Sequence, residues 1–490
     1  MGDLLEHKCG LVLAYSLHDT YGMIKDLQHR GKEAAGIAAV GNTRIDVLKW
    51  VGRVDRFDRE DLHKLFPGND YHTFIAHIRY ATRGRREREQ ILLDAHPHTI
   101  GGTAFDNGDH TLIMDCDAAM VHNGQIDVND LEGIVARQLK SDCDTEALLH
   151  YYREVGERKL LRAVKGAYTL IIADKARKEV IVMRDSSGIR VGALGTKGEK
   201  YCVASEDTPI RRNGGKPQGD LRPGAIYYFN PHGTFSKEQV IPLEEVERNL
   251  SHCMFEYLYL ASPESEINGV GVRRVRERLG EEMAKEYRPD IDFVTYVPRA
   301  PEAAARKYAE MLNVPFREVF YKPNADRSFM TSSQEDRDRS INSNFFLIPS
   351  AIPVIRGMRG IIVDDSIVRG TVSRRVRNLL IDEAGVKEAT FFSYTPPIGI
   401  IGKDGVERGC TYGVDMPPND KFIARMKRLV PRNATLEEIS RKAGMSVNYL
   451  SREGLNAVFD DVGLSHLKLC MYCIGGEKPF GERFVELRKK

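Results

Sequence analysis

The sequence predicts a mixed helix-and-sheet fold whose C-terminal half is an α/β domain built on a parallel sheet. Residues 361–380, IIVDDSIVRGTVSRRVRNLL, have the pattern of a strand, a short polar loop and a basic amphipathic helix. Before them, the apolar stretch FVTYV is followed by a predicted helix over 301–312 and a predicted strand over 315–321, an alternation typical of parallel sheets with flanking helices. In the N-terminal half, apolar stretches at 168–172 and 180–183 predict sheet strands.

Length and composition set the outer bounds. The 490 residues predict about three domains, or two large ones. The 72 basic and 70 acidic residues give a net charge of only +2, which does not indicate nucleic acid as a partner. No signal peptide and no apolar run of membrane-spanning length is present. Eight cysteines in a chain of this length, without secretory features, predict reduced thiols or metal ligands and a cytoplasmic protein.

The polar loop within 361–380 has the chemistry of an anion-binding site. It follows a strand of the predicted α/β sheet, and ligands bind at the carboxyl ends of such strands. Gly370 permits close backbone approach, Thr371 and Ser373 add hydroxyls, and the free amides of the next helix attract phosphate. Asp364 and Asp365 would repel a phosphate directly, so they suit ribose hydroxyls or a bridging Mg²⁺. The alternative is an ordinary turn whose acidic residues only start a helix.

Cys9 stands immediately before the apolar run 11–14, so a cysteine opens a predicted strand near the start of the chain. A buried structural cysteine is one interpretation. The other is a nucleophile. If residues 1–8 were removed as a leader, the free α-amine of Cys9, with an unperturbed pKa of about 8, could act as general base for its own thiol.

Four further segments in the first 150 residues accompany this cysteine. They read LQHRGKEAAG, AHIRYATRG, VHNGQ and SDCDTE. Together with Cys9 they resemble the class II glutamine amidotransferase domain, a member of the N-terminal-nucleophile hydrolases. The resemblance implies a four-layer αββα glutaminase domain, which we expect to span residues 9–245.

The same resemblance implies roles for individual residues. Arg79 would pair with the α-carboxylate of glutamine, with Thr82 in the same segment, and Asp144 would bind the α-ammonium. Asn123 and the backbone amide of Gly124 would form the oxyanion hole for a tetrahedral intermediate.

Each of these residues also has a simpler interpretation. Arg79 could form a surface ion pair, Asn123 and Gly124 could form a hairpin turn, and Asp144 could cap a helix. The five segments occurring together favour the glutaminase.

The stretch VDDSIVRGT resembles the phosphoribosyl pyrophosphate loop of type I phosphoribosyltransferases. Its SIVRG core is the form found in the glutamine phosphoribosylpyrophosphate amidotransferase family. The resemblance implies an α/β parallel-sheet phosphoribosyltransferase domain over 246–490, ending in a helical tail. The implied ligands of phosphoribosyl pyrophosphate are Asp364, Asp365, Ser366, Arg369, Gly370 and Thr371, with Mg²⁺ held near Asp364 and Asp365.

Four cysteines match the iron-sulfur branch of that family: Cys253, Cys410, Cys470 and Cys473. The resemblance implies that they hold a [4Fe-4S] cluster. Zinc accepts the same four thiolates and is the alternative. We interpret the remaining Cys116, Cys143 and Cys202 as packing residues.

The C-terminal half departs from the family at several positions near the expected pyrophosphate. Arg299 and Ala300 replace an acidic and a hydroxyl residue, Asn342 and Asn344 replace a basic pair, and Val372 replaces a threonine. Fewer positive charges weaken the binding of pyrophosphate. Either the same substrate is held differently, or this half has diverged to another ligand or to regulation.

Residues 433–455 have the spacing of a helix-turn-helix, so a DNA-binding regulator is a further alternative. The second helix offers only Asn448, Ser451 and Arg452 for reading bases, and the enzyme family has a similar segment here. We therefore expect no nucleic acid.

The family resemblance, taken over nearly the whole chain, implies a glutamine-dependent transferase that makes 5-phosphoribosylamine in the first step of purine synthesis. It further implies feedback by purine nucleotides and a homo-oligomer, expected to be a tetramer.

Overall fold

The computed structural model describes most of the chain. The described residues are 9–68, 70–80, 87–126, 131, 139–141, 143–322, 345–410, 412, 414, 416–418, 421–426, 431–477 and 479. Residues 1–8 and Thr82, Asn342 and Asn344 lie outside them.

The N-terminal half is built on thirteen strands joined by backbone hydrogen bonds. They are β1 Gly10–Ala14, β2 Ala34–Gly41, β3 Ile45–Val51, β4 Tyr71–Arg79, β5 His98–Asp106, β6 His110–Ile126, β7 Gly166–Asp174, β8 Val180–Arg184, β9 Ala193–Lys197, β10 Lys200–Ala204, β11 Lys216–Asp220, β12 Ala225–Phe229 and β13 Phe235–Gln239. Their spatial order is β11-β9-β10-β1-β4-β2-β3-β6-β7-β8-β12-β13, with β5 on β6. Both strand stretches predicted in this half, 168–172 and 180–183, are confirmed.

Six α-helices accompany these strands among the described residues. They are α1 Leu17–Asp26, α2 Arg59–Leu65, α3 Arg88–Asp94, α4 Asp144–Ala163, α5 Asp207–Arg212 and α6 Leu243–Asn249. Ser16 caps α1 by accepting a hydrogen bond from the Asp19 amide at 3.0 Å.

Strand alternation divides this half into four layers. Leu11 and Leu13 point into a core shared with Ile171 and Val182 from the other end of the sheet. Their neighbours on β1 point the opposite way, into a core with α1. On the far side, β7 and α4 form a third core. The order is therefore helix, sheet, sheet, helix, as the sequence predicted.

The segment between the halves is short and irregular. It consists of β14 His252–Cys253, a helical turn at Glu256–Leu260, the hairpin β15 Glu266–Ile267 and β16 Val270–Gly271, and helix α7 Val272–Glu286. The aromatic sequence that opens at Cys253 predicts a strand that runs into a polar turn. That prediction was wrong, since Glu256–Leu260 form a helical turn in which Glu256, Tyr257, Leu258 and Leu260 are buried.

The C-terminal half contains a four-stranded parallel sheet of order β17-β20-β21-β24. Its elements are β17 Phe293–Tyr296, α8 Glu302–Leu312, β18 Phe320–Tyr321, β19 Phe346–Leu347, α9 Ile352–Ile355, β20 Arg359–Asp364, α10 Thr371–Arg377, β21 Glu388–Ser393, β22 Arg425–Met426, β23 Arg432–Asn433, α11 Leu436–Ala443, β24 Ser446–Tyr449, α12 Arg452–Asp461 and β25 Leu469–Cys470. Ile361 and Val363 face the core of α7 and α8, and Ile362 faces that of α10 and α11.

Two details differ from the sequence predictions. The strand expected over 315–321 is reduced to β18, which pairs with β19, and to a single bridge from Phe316 to Val294. The helix-turn-helix interpretation of 433–455 is wrong. Between α11 and α12 lies β24, whose Val447 pairs with Phe391 of β21, so this segment belongs to the sheet.

Among the described helices, none is long and apolar enough to span a bilayer.

Candidate functional site

The pairing of β1 with β4 places Cys9 beside Arg79. Gly10 is opposite Ile78 in this antiparallel pair, and the residues before Gly10 and after Ile78 are Cys9 and Arg79. A Cβ on Gly10 would lie 3.1 Å from the Ile78 side chain, so a small residue suits this close contact. Cys9 therefore immediately precedes β1, as predicted, and lies at the edge of the N-terminal sheet where β1 begins.

The Cys9 thiol is protonated at neutral pH. Its burial raises its pKa to about 11, although the charges of Arg79 and Arg190 act in the opposite direction. Asp144 and Glu33 also raise it. These four charged side chains are thus close enough to influence the thiol, and a nucleophilic role requires a base to take its proton.

Arg79 is buried and paired with carboxylates of the protein. Its Nη1 lies 2.8 Å from Glu33 Oε2, and its Nη2 lies 3.4 Å from Asp94 Oδ2. Only 6% of Arg79 is exposed, so its ion pairs lie in the interior and not on the surface. A guanidinium has five N–H donors, so the arrangement leaves donors for a ligand carboxylate.

Asn123 and Gly124 lie within β6 and not in a hairpin turn. Asn123 is fully buried and its Nδ2 donates to Ser205 Oγ at 3.3 Å. The same hydroxyl accepts from the Leu11 amide at 3.0 Å, which ties Asn123 to the strand that follows Cys9. A Cβ on Gly124 would lie 1.9 Å from the Ala167 carbonyl oxygen, so only glycine fits there.

Asp144 is the first residue of α4, and the residue before it occupies the cap position. Its Oδ2 accepts from the Ile126 amide at 3.0 Å. Its Oδ1 lies 3.7 Å from His122 Nδ1. The carboxylate therefore joins the end of β6 to the start of α4, on the same side of the sheet as Cys9.

Several residues around this site carried no prediction. Arg190 influences the Cys9 thiol, and Ser205 holds Asn123. The signal available for both was their place in segments that resemble the family: Arg190 lies in VMRDSSGIRV, which matches only in part, and Ser205 lies in VASE, which matches fully. Four histidines nearby were assigned no role: His77 lies in AHIRYATRG, His122 lies in VHNGQ, and His96 and His98 stand two residues apart just before and at the start of β5.

The loop after β20 forms the second candidate site. Asp364 and Asp365 are only 6% and 8% exposed. The Asp365 amide donates to Asp364 Oδ1 at 2.9 Å, and Ser366 Oγ donates to Asp365 Oδ1 at 2.8 Å. The pKa of Tyr394 is raised, mainly by burial and further by the negative charges of these two aspartates. The loop lies at the carboxyl edge of the parallel sheet, as predicted.

Gly370 sets the turn from this loop into α10. Its φ is +79°, and a Cβ would lie 2.6 Å from Ile423 Cδ1. The Ser373 hydroxyl donates to the Gly370 carbonyl at 2.9 Å, and Thr371 begins the helix. Arg369 is half-buried in the same loop.

Arg299 and Ala300 follow β17. Since β17 is parallel to β20 and pairs with it, they lie at the sheet edge that carries the loop. Val372 lies in the first turn of α10. The substituted positions within the described residues therefore border the second candidate site.

The four cysteines of the expected metal site come together from three segments. Cys253 and Cys470 are register partners in the parallel pair β14 and β25. Cys473 lies in the next helical turn, and its pKa is raised by burial and by Cys410, Cys470 and Cys253. The Cys410 sulfur accepts from the Val414 amide at 3.3 Å. No disulfide joins any of the chain's eight cysteines, all of which lie within the described residues.

Comparison with known proteins first defines the class. A glutamine amidotransferase domain model matches residues 106–251. Two solved structures match nearly the whole chain. One is glutamine phosphoribosylpyrophosphate amidotransferase from B. subtilis complexed with ADP and GMP, at 28% identity and a TM-score of 0.76, covering 98% of this chain and 99% of that one. The other, described as the allosteric regulatory enzyme of purine biosynthesis, has 27% identity and a TM-score of 0.78, with 98% of both chains covered.

Curated relatives then define the family. Amidophosphoribosyltransferase of Methanocaldococcus jannaschii is 30% identical over 95% of both chains. That of Methanothermobacter thermautotrophicus is 31% identical over 96% of this chain and 94% of its own. The Bacillus subtilis enzyme is 30% identical over 97% and 94%. The chain belongs to the amidophosphoribosyltransferase family, and the predicted fold class of a glutaminase domain followed by a phosphoribosyltransferase domain is confirmed.

Proposed function

We propose that this chain uses glutamine to convert 5-phosphoribosyl 1-pyrophosphate into 5-phosphoribosylamine, releasing glutamate and pyrophosphate. The observation that carries the proposal is the gathering of Cys9, Arg79, Asn123 and Asp144 at one end of the N-terminal sheet. The same chain presents the loop 364–371 at the carboxyl edge of a parallel sheet. Near full-length similarity to amidophosphoribosyltransferases supports the joint activity.

In the first half-reaction, the Cys9 sulfur attacks the side-chain amide carbon of glutamine. Because burial holds the thiol protonated, its proton must pass to a base, and the α-amine of Cys9 has a suitable pKa once a leader is removed. Asn123 Nδ2 and the Gly124 amide stabilise the oxyanion. Collapse of the intermediate releases ammonia and a thioester, which water hydrolyses to glutamate.

Two charged side chains orient glutamine by binding the ammonium and carboxylate groups on its α-carbon. Asp144 binds the α-ammonium, and Arg79 binds the α-carboxylate with the donors that Glu33 and Asp94 leave free. Thr82, which lies outside the described residues, is assigned to the same pocket by its family motif.

In the second half-reaction, ammonia attacks carbon 1 of the ribose and pyrophosphate leaves. The loop amides and the hydroxyls of Ser366 and Thr371 hold the phosphates, with Arg369 adding positive charge. Asp364 and Asp365 would hold Mg²⁺, which neutralises pyrophosphate charge when bound. Catalysis here consists mainly of positioning and charge stabilisation.

The four gathered cysteines fit a [4Fe-4S] cluster. Such a cluster needs four thiolates, which these cysteines supply. Zinc accepts the same four thiolates and stays the alternative. The group would join the linker, the transferase half and the tail.

Other properties rest on the family. We propose a leader of residues 1–8, a glutaminase domain over 9–245 and a transferase domain over 246–490. The separate cores of the two halves support two domains, although α6 crosses the proposed boundary and its Val246 lies in a core of the N-terminal half. We further propose a cytoplasmic homo-oligomer, expected to be a tetramer, that is inhibited by purine nucleotides. The B. subtilis relative was solved with ADP and GMP.

The variant Cys9→Ala tests the proposal. It should lose glutamine-dependent product formation by several orders of magnitude while keeping product formation from added ammonia. Cys202→Ala is the matched control, because Cys202 is a buried cysteine on β10 of the same half and should retain both activities. Glutaminase activity that survives in Cys9→Ala would contradict the assignment of the nucleophile.

A second function is favoured by Arg299, Ala300 and Val372, which border the transferase site. These substitutions would suit a working glutaminase joined to a transferase half that binds another ligand. In that case glutamate release would proceed without phosphoribosyl pyrophosphate.

A further inference from the structure

Two histidines and a cysteine converge in the interior of the N-terminal half, apart from the four-cysteine site. His96 lies between α3 and β5, His98 is the first residue of β5, and Cys143 precedes α4. One ligand atom from each lies within 4.8 Å of the other two. The Cys143 sulfur is 3.9 Å from His96 Nε2.

The two imidazoles are available as ligands. Each histidine is 4% exposed. Among the described residues, His98 Nε2 is buried without a hydrogen-bond partner. His96 Nε2, which lies 3.9 Å from the Cys143 sulfur, shares a hydrogen bond with Thr145 Oγ1 at 2.7 Å that a metal would replace. A neutral imidazole keeps a lone pair for a metal. Unpartnered buried nitrogens are costly unless something binds them.

The surroundings can balance the charge of a divalent ion. Cys143 supplies one negative charge when it ionises, and Asp144 Oδ1 lies 3.7 Å from its sulfur. Two positive charges act against the ion, those of Lys49 and Arg79. The Lys49 ammonium donates to the Ala95 carbonyl at 3.0 Å, and Arg79 is paired with Glu33 and Asp94. Thr145 Oγ1 lies 2.7 Å from His96 Nε2 and 3.5 Å from the Cys143 sulfur, so a hydroxyl also faces the group.

We infer that His96, His98 and Cys143 form a binding site for a borderline-soft divalent transition metal, of which Zn²⁺ is the representative. Two imidazoles and one thiolate are ligands that zinc prefers and that Mg²⁺ and Ca²⁺ do not. Tetrahedral zinc needs these ligand atoms about 3.3 to 3.7 Å apart, so the three side chains, whose ligand atoms lie within 4.8 Å of one another, must move closer together on binding. The fourth position is left to water or to a nearby oxygen ligand.

The test compares zinc uptake among four proteins purified anaerobically with the four-cysteine site filled. Wild type, Cys143→Ser, His98→Gln and the control Cys202→Ser are dialysed against Zn²⁺ in the presence of a weak chelator, and bound zinc is measured by mass spectrometry. Cys143→Ser changes one atom, and Cys202→Ser makes the same change in a buried cysteine elsewhere in the domain. We expect wild type and Cys202→Ser to retain one more equivalent of zinc than the other two.

The zinc X-ray absorption spectrum of the wild type identifies the ligand atoms of the bound zinc directly. This result does not depend on how well the variants fold. The inference predicts nitrogen neighbours at about 2.0 Å with a single sulfur at about 2.3 Å. Equal zinc retention in all four proteins, or a shell of four sulfurs, would overturn it.

Discussion

Arg30 donates a hydrogen bond from Nε to the carboxylate of Glu206, and both side chains are completely buried. The Arg30 Nη2 lies 2.6 Å from Glu256 Oε2 in the segment that leads to the transferase half. Glu206 also accepts from the Ser262 amide at 2.8 Å and from Ser265 Oγ at 2.6 Å. A buried charge network therefore joins the glutaminase half to the linker.

Glu206→Gln should destabilise the protein by about 3 kcal/mol at neutral pH, because removing one partner of a buried ion pair leaves a charge poorly compensated. Burial alone would raise the pKa of Glu206, but Arg30 and His29 hold it well below the ordinary value. A depressed pKa in the folded state stabilises the protein above the unfolded pKa, and this contribution is lost as pH falls below about 4.5.

Urea unfolding of wild type and Glu206→Gln over a pH series measures this difference. The difference should be constant above about pH 5.5 and should shrink as the pH falls below about 4.5. Glu437→Gln is the control, since the Glu437–Arg441 pair is exposed and should change stability by less than about 0.5 kcal/mol. A difference that does not shrink in acid would contradict the role given to the Glu206 charge.

The pH dependence of glutamine hydrolysis should report the base and not the thiol. If the α-amine of Cys9 is the base, kcat/KM for glutamine should rise with an apparent pKa of about 8 in protein that begins at Cys9. Protein that keeps residues 1–8 should be nearly inactive with glutamine but active with ammonia. Rate measurements on mass-checked samples test this. A rise only near pH 11, where the buried thiol itself ionises, would exclude the amine as base.

Gly370→Ala should raise KM for phosphoribosyl pyrophosphate at least tenfold. The added methyl group meets Ile423 and the backbone has φ of +79°, so the loop must move away from its phosphate-binding shape. Gly405→Ala is the matched control, because Gly405 has φ of +75° but open space around its Cβ. Equal effects of both substitutions on KM would mean that backbone strain alone, and not loop shape, is responsible.

Cys470→Ser should remove the iron and the brown colour expected of the anaerobic protein, because a cluster held by four thiolates loses one ligand. Iron and sulfide analysis of the variant is compared with that of Cys116→Ser, in which a buried cysteine of the N-terminal half is changed. If the wild-type protein is colourless and carries stoichiometric zinc, the four cysteines hold zinc and the cluster assignment is wrong.

Much of the fold could be predicted because its elements have strong local patterns. The strand, loop and helix around Asp364 and the strands near 168 and 180 are long apolar or amphipathic stretches with clear ends. The aromatic stretch EYLYL was misjudged because Glu256, Tyr257, Leu258 and Leu260 are all buried. Burial on every side removes the periodicity that distinguishes a strand from a helical turn.

The sites were predictable only where residues belong to extended family motifs. Cys9, Asn123 and Asp144 were proposed as site residues in this way. Cys9 immediately precedes β1, Asn123 lies in β6, and Asp144 begins α4. The burial of Arg79 against Glu33 depends on the pairing of distant strands. His96 and His98 stand two residues apart, but this local pattern is the same whether or not Cys143, far along the chain, lies beside them.

The most direct measurement follows glutamate and pyrophosphate together in anaerobically purified protein. The reaction contains glutamine, Mg²⁺ and phosphoribosyl pyrophosphate, and each is omitted in turn. Equal amounts of glutamate and pyrophosphate, with formation of both dependent on every component, are the predicted result. Glutamate released at the same rate without phosphoribosyl pyrophosphate, with no pyrophosphate formed, would contradict the proposed coupling of the two halves.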